Sequence, residues 1–213
     1  MKRLILNILM LLSLMTYMSC DSNSGKVCHI VGTLPDAKYN DKYIYLIAEN
    51  KKVREENGYI DSCLIKNQQF EFFSDINMLQ IIRLDYHFRV GIQDLLVVTE
   101  PGEVRVTIDS ISSGGGTPNN DALQVWKNLT QTQQVKTNQL RKLASDAYRR
   151  GDTIVYKSIH EKIDSILRDY RHDSRDLSAK LSDGPFKTFL EESFPTSYKK
   201  RMPDGSIKEL PFD

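Results

Sequence analysis

The feature that most constrains the fold is a change of hydrophobic period across residues 112–121, SSGGGTPNND. Just before it, Val104, Val106 and Ile108 alternate with Glu103, Arg105, Thr107 and Asp109. That is the period of a half-buried strand. Just after it, Leu123, Trp126, Leu129, Leu140, Leu143, Ala144 and Ala147 sit largely at helical spacing. A run of strands followed by a run of helices defines an α+β chain.

The strand half reads as KVCHIVGTL, a turn at Pro35-Asp36, KYIYLIAE, GYIDSCLIK, a turn at Asn67-Gln68, then QFEFF, MLQIIRLDYHF, DLLVVTE and EVRVTID. About seven short strands joined by turns predict an antiparallel β-sandwich over residues 26–111. No long helical crossover separates them, which argues against a parallel α/β sheet. The three glycines Gly114 to Gly116 lack the Gly-Lys-Ser/Thr of a phosphate loop. Residues 112–118 therefore read as a flexible Gly-rich linker leading to a helix cap at Asn119 to Asp121.

In the helical half, Gly151 suits a helix end and Asp152 the next start. Ile159, Ile163, Ile166 and Tyr170 make one apolar stripe. Two helices of about 30 residues, each about 45 Å long, form an αα-hairpin over residues 119–183. That segment holds 12 basic and 9 acidic side chains, the pattern of a solvated face. Residues 184–213 read as a short helix starting at Pro185 and a tail with a Pro-Asp-Gly turn, forming a small hairpin or a docking strand.

The N-terminus addresses location. Lys2 and Arg3 precede a nearly apolar run from Leu4 to Met18, then Ser19 and Cys20. The run has the length of a signal-peptide core and is short for a membrane span. Residues 1–19 thus read as a lipoprotein signal peptide, Cys20 as the lipidated first mature residue, and residues 20–25 as a tether. Tyr17 stands where lipoprotein signals usually carry Leu. Ordinary signal cleavage and an uncleaved anchor are the alternatives. The looser pattern with Tyr17 resembles that of Bacteroidetes lipoproteins, whose surface export goes with an acidic run after the cysteine. With the single acid Asp21, the resemblance implies a periplasm-facing protein on the outer membrane rather than a surface-exposed one. The formal net charge of +1 argues against a nucleic-acid partner.

Candidate chemistry is sparse. Cys28 and Cys63 are the pair left outside the cytoplasm, either bridged or buried as free thiols. His29, His87, His160 and His172 are not spaced as metal ligands. Asp61, Ser62 and Cys63 lack a nucleophile elbow or a histidine partner. Glu191 and Glu192 are adjacent and would diverge on a helix. Trp126 reads as packing the helix onto the sandwich. Tyr43, Tyr45, Phe70, Phe72 and Phe73 read as core aromatics rather than a sugar platform. No catalytic, cofactor-binding or metal residue is assigned.

The order YIYL, IDSCLIKNQQFEF, LLVVTEPGEVRVTID, GGGTPNNDALQVW resembles a domain of Bacteroidetes lipoproteins, domain-of-unknown-function family 4369, over about residues 27 to 130. Ile60-Asp61-Ser62, Glu100-Pro101-Gly102 and Gly116-Thr117-Pro118-x-Asn120 carry it. The resemblance implies a small β-sandwich, with Gly102 in a turn, Phe70 and Phe72 in the core and Asn120 as a cap. It also implies a frequent thioredoxin-like neighbour, for which this sequence has no CxxC. Three functional expectations follow. The first is a non-catalytic envelope lipoprotein whose hairpin meets an unidentified envelope protein. The second is an accessory of a thiol–disulfide system using Cys28 and Cys63. The third is a glycan- or peptide-binding sandwich, which requires an exposed aromatic cluster.

Overall fold

The computed structural model describes residues 27–85, 87, 88, 90–202 and 205–211. The signal segment and Cys20 lie outside these residues. The alternation read at EVRVTID buries Val104, Val106 and Ile108, and that at QFEFF buries Phe70 and Phe72. Both faces belong to one of two four-stranded sheets, and together they pack against the other. The strands are β1 (Cys28–Thr33), β2 (Tyr43–Ala48), β3 (Asp61–Leu64), β4 (Gln69–Ser74), β5 (Leu79–Leu84), β6 (Leu95–Val98), β7 (Gly102–Thr107) and β8 (Ser113–Gly115). One sheet runs β4-β1-β7-β8 and the other β3-β2-β5-β6. Their shared core includes Ile30, Ile44, Leu46, Phe72, Ile82 and Val104. Gly32 faces Phe70 across the β1–β4 pair, and the ring lies where a glycine Cβ would be.

The sandwich differs from expectation in two ways. It is mixed rather than purely antiparallel, because β1 pairs in parallel with β7, Ile30 opposite Val104. The presumed linker is also structured. Ser113–Gly115 is the edge strand β8, antiparallel to β7. Gly116, at φ 106°, then turns the chain where a Cβ would meet the Glu103 carbonyl at 2.6 Å. A further element, α1 (Lys51–Asn57), begins at Asn50, whose Oδ1 accepts from the Lys52 and Val53 N–H groups. Asn67 and Gln68 both adopt positive φ, as their turn requires.

Two long helices follow, α2 (Pro118–Arg149) and α3 (Thr153–Ala179). Gly151 adopts φ 74°, and Asp152 caps α3 by accepting from the Val155 N–H. The hairpin core contains Ala144, Ile159 and Ile163 with Leu140, Tyr156 and Leu167 around them. Pro185 opens α4 (Pro185–Ser193). Its Phe186 and Leu190 are buried with Leu79, Val98 and Leu123. The tail forms a two-stranded hairpin, β9 (Ser197–Arg201) with β10 (Ile207–Pro211).

Candidate functional site

The most ordered polar chemistry among the described residues lies where α2 meets the sandwich. β6 and β8 are edge strands of different sheets, so each leaves backbone groups without a ladder partner. Helical spacing puts residues 120, 124 and 127 on one face of α2, and each meets such a group. Asn120 Oδ1 accepts from the Val98 N–H at 3.0 Å, while its Nδ2 donates to the Val98 carbonyl at 2.8 Å. Gln124 Oε1 accepts from the Gly114 N–H at 3.0 Å. Lys127 Nζ donates to the Ser112 carbonyl. Burial pushes the pKa of that lysine down. The helix thus acts as a side-chain substitute for a ninth strand, clasping both sheets along their seam.

The start of the helix is fixed as firmly. Glu100 is buried, and its carboxylate accepts from the Asn119 N–H at 2.7 Å and from Asn119 Nδ2 at 2.6 Å. A carboxylate at a helix N-terminus also meets the positive end of the helix dipole. Asp121 Oδ1 accepts from the Gly116 N–H at 2.8 Å. Thr117 is the N-cap residue, and its Oγ1 accepts from Asn120 Nδ2 at 2.8 Å. Asn120 is therefore not the cap that the sequence suggested. It is a buried bridge between helix and strand.

Beside the clasp, a cleft of about 170 Å³ opens between β6 and α2, lined in part by Leu95, Leu96, Leu123 and Trp126. Trp126 packs edge-on against Phe186, Phe189 and Phe194, at ring centroids of 6.3, 5.4 and 6.4 Å. It joins the cluster containing Val98 and Leu96, as its reading as a helix-to-sandwich contact required. Its Nε1 is buried without a hydrogen-bond partner.

The other sequence candidates are dispersed. Cys28 is buried in β1 and Cys63 is half-buried in β3 of the opposite sheet, and both thiols are free. Burial, and then the Glu100 charge, pushes the Cys28 pKa to about 11. Burial raises that of Cys63 as well. His29 reaches Glu71 at 3.1 Å, and His172 lies 3.5 Å from Asp176. The His160 ring lies tilted against that of Tyr156, with centroids 4.4 Å apart. Among the described residues, no group of three or more His, Cys, Asp or Glu could hold a metal ion, and no helix is long and apolar enough to cross a membrane.

The aromatic strands need correction. Phe70 and Phe72 are core, but Phe73 is exposed and stacks on His29 at 4.4 Å. Tyr43 is half exposed on the outer face of β2. With half-buried Tyr45 and exposed Tyr59 it forms a row at centroid spacings of 6.3 and 5.3 Å. The strand alternation carried this signal, since Ile44 and Leu46 take the inward positions and leave Tyr43 and Tyr45 outside.

Residues 28–123 match the family model described as Domain of unknown function (DUF4369). The chain carries a DUF4369 domain. The match ends within α2, just after Asn120, so the domain comprises the sandwich and the start of the helix clasped to it. No curated protein and no solved structure matches the chain. Within the DUF4369 domain, the segment read as Gly-Thr-Pro-x-Asn is the joint itself: Gly116 makes the turn, Thr117 holds the Asn120 amide, Pro118 opens α2 and Asn120 ties it to β6.

Proposed function

We propose that the protein is a non-catalytic lipoprotein of the cell envelope, anchored through Cys20, whose DUF4369 domain carries the helical hairpin as a binding module. The observation that supports this is the direction of the hairpin. The Gly102 N–H bonds the Val27 carbonyl, and Gly102 also lies against Thr117. The first described residue and the start of α2 therefore share one end of the sandwich. From there α2 climbs the seam, passing Val98, then Gly114, then Ser112. About 22 further residues, about 33 Å of helix, run on toward the hairpin turn. A chain tethered at Val27 thus holds its hairpin away from the attachment point. One side of the hairpin carries a groove of about 380 Å³ with Leu129, Ile166 and Tyr170 in its walls and Lys136, Asp169 and Asp173 at its rim. A protein partner from the envelope is the occupant we assign to it, and a periplasm-facing position on the outer membrane is the location.

Two measurements test this reading. Mass spectrometry of membrane-extracted protein should find Cys20 acylated; an unmodified Cys20 removes the anchor. A photo-crosslinking residue at Thr132, on the groove, should capture a discrete protein in intact cells, and an Ile166→Glu variant should lose it. An unchanged adduct pattern refutes the groove as the binding surface.

A second reading has its own observation. The tyrosine row Tyr43, Tyr45 and Tyr59 supplies the exposed aromatic cluster that a glycan-binding sandwich requires. Glycan-array binding that is lost in Tyr43→Ala would favour it; an empty array would dismiss it.

A further inference from the structure

The hairpin turn carries apolar side chains that no other described residue covers. Ile154 is 80% exposed and Tyr148 74%, with Leu143 and Val155 also exposed close by. They flank the Gly151 turn from both helices. Tyr148 and Tyr156 keep their rings 5.8 Å apart, so an aromatic pair joins the two helices beside the exposed aliphatic side chains. The surrounding charge is one-sided. Residues 141–162 contain six basic and three acidic side chains. One of those acids, Asp152, is occupied as the cap of α3. Another, Asp146, lies 3.8 Å from Arg149. Arg150, Lys142 and Lys157, on the same stretches of the two helices, have no such partner among the ion pairs described.

We propose that this tip is a lipid-contacting surface, with Tyr148 and Ile154 entering the interface of an anionic bilayer while Lys142, Arg149, Arg150 and Lys157 meet the headgroup phosphates. Apolar prongs ringed by cations match the layered chemistry of that interface, which is hydrocarbon beneath a negatively charged surface. Tyrosine suits the boundary between the two because its ring is apolar and its hydroxyl stays wet. Shape separates lipid from protein as the occupant. Two helices of about 10 Å diameter seen end-on offer on the order of 200 Å². A stable protein interface covers roughly 800 Å² per partner. A bilayer needs no such complementary surface, because its headgroups rearrange around the inserted side chains. Because the hairpin runs away from Val27, the bilayer its tip meets is one other than that holding Cys20, and the surface is distinct from the groove on the side of the hairpin.

The test is hydrogen exchange on the full chain, with the tip segment 145–157 read separately from the sandwich. The protein is mixed with vesicles of phosphatidylcholine alone or of equal parts phosphatidylcholine and phosphatidylglycerol. Anionic vesicles should slow exchange in the tip by about tenfold, neutral vesicles should not, and sandwich amides should be unchanged. A Tyr148→Ser/Ile154→Ser variant with unchanged far-UV circular dichroism should lose the slowing. An Arg149→Gln/Arg150→Gln variant should weaken it and reduce its salt dependence. The Cys20→Ser chain should keep it, which separates this surface from the anchor. No slowing on anionic vesicles, equal slowing on neutral ones, or loss in the Cys20→Ser chain overturns the proposal. So does a photo-crosslinker at residue 154 that captures a single protein in cells, which would assign the tip to a protein partner.

Discussion

Replacing Asn120 by Ala tests whether the clasp holds the hairpin to the sandwich. Asn120 is 2% exposed and Val98 is fully buried. The side chain supplies both hydrogen bonds to the Val98 backbone, at 3.0 and 2.8 Å, and a third to Thr117. Alanine leaves the Val98 N–H and carbonyl without a partner, and each such buried orphan costs about 1–3 kcal/mol. Allowing for partial relaxation, the loss is about 2–4 kcal/mol. With a urea m-value of about 2 kcal/mol/M, the midpoint falls by about 1–2 M. The assay is equilibrium urea unfolding followed by Trp126 emission, which reports the joint, and by far-UV circular dichroism, which reports the helices. Asn138→Ala, at an exposed site on the same helix, should cost less than about 0.5 kcal/mol. Asn120→Asp adds a pH test. An ionised carboxylate would set an oxygen against the Val98 carbonyl, whereas the protonated acid can donate to it. The folded pKa of that aspartate is thereby raised above its unfolded value of about 3.9. The variant should approach its best stability below that value and lose it as pH rises toward neutrality. A shift below 0.5 kcal/mol for Asn120→Ala, or equal effects at both asparagines, refutes the clasp.

Three other outcomes follow from the geometry. Gly32→Ala should destabilise by at least about 1–3 kcal/mol in the same assay, because its Cβ would fall 2.0 Å from the Phe70 ring. Gln80→Leu should raise stability by about 1–2 kcal/mol, since the Gln80 amide is fully buried between Ala48 and Val97 on neighbouring strands with neither polar atom bonded; a loss of stability would mean the amide has a partner in solution. Cys28 should resist alkylation at pH 8 until the chain unfolds, and stability should fall by on the order of 2–3 kcal/mol as pH rises from 9 toward 11, because between the ordinary 9.0 and the folded pKa of about 11 the unfolded thiol ionises while the folded one stays protonated.

Much of the architecture is visible in the residues because it rests on local periodicity. Val104, Val106 and Ile108 alternate, Ile159 and Ile163 repeat helically, and Gly151-Asp152 is a turn whose chemistry is local. What stays hidden depends on distance or on missing side chains. The parallel β1–β7 pair joins segments about 70 residues apart, and nothing in either strand names its neighbour. β8 is nearly all glycine, so it shows no alternation to read. The clasp was hidden differently. Asn120, Gln124 and Lys127 look like a polar helix face, and only the open edges of β6 and β8 reveal what that face is for. The tyrosine row is legible only from the alternation of β2, because aromatic content alone does not say which face of the strand a ring occupies.

The clasp has a mechanical consequence. Asn120 to Lys127 grip about 10 Å of helix, while about 33 Å extends beyond them. With no hinge between the two parts, a sideways pull on the hairpin end becomes torque on the seam, magnified about threefold. Load is then borne by β6 and β8, one strand from each sheet. Whatever holds the far end of the hairpin therefore pulls on both halves of the DUF4369 domain at once.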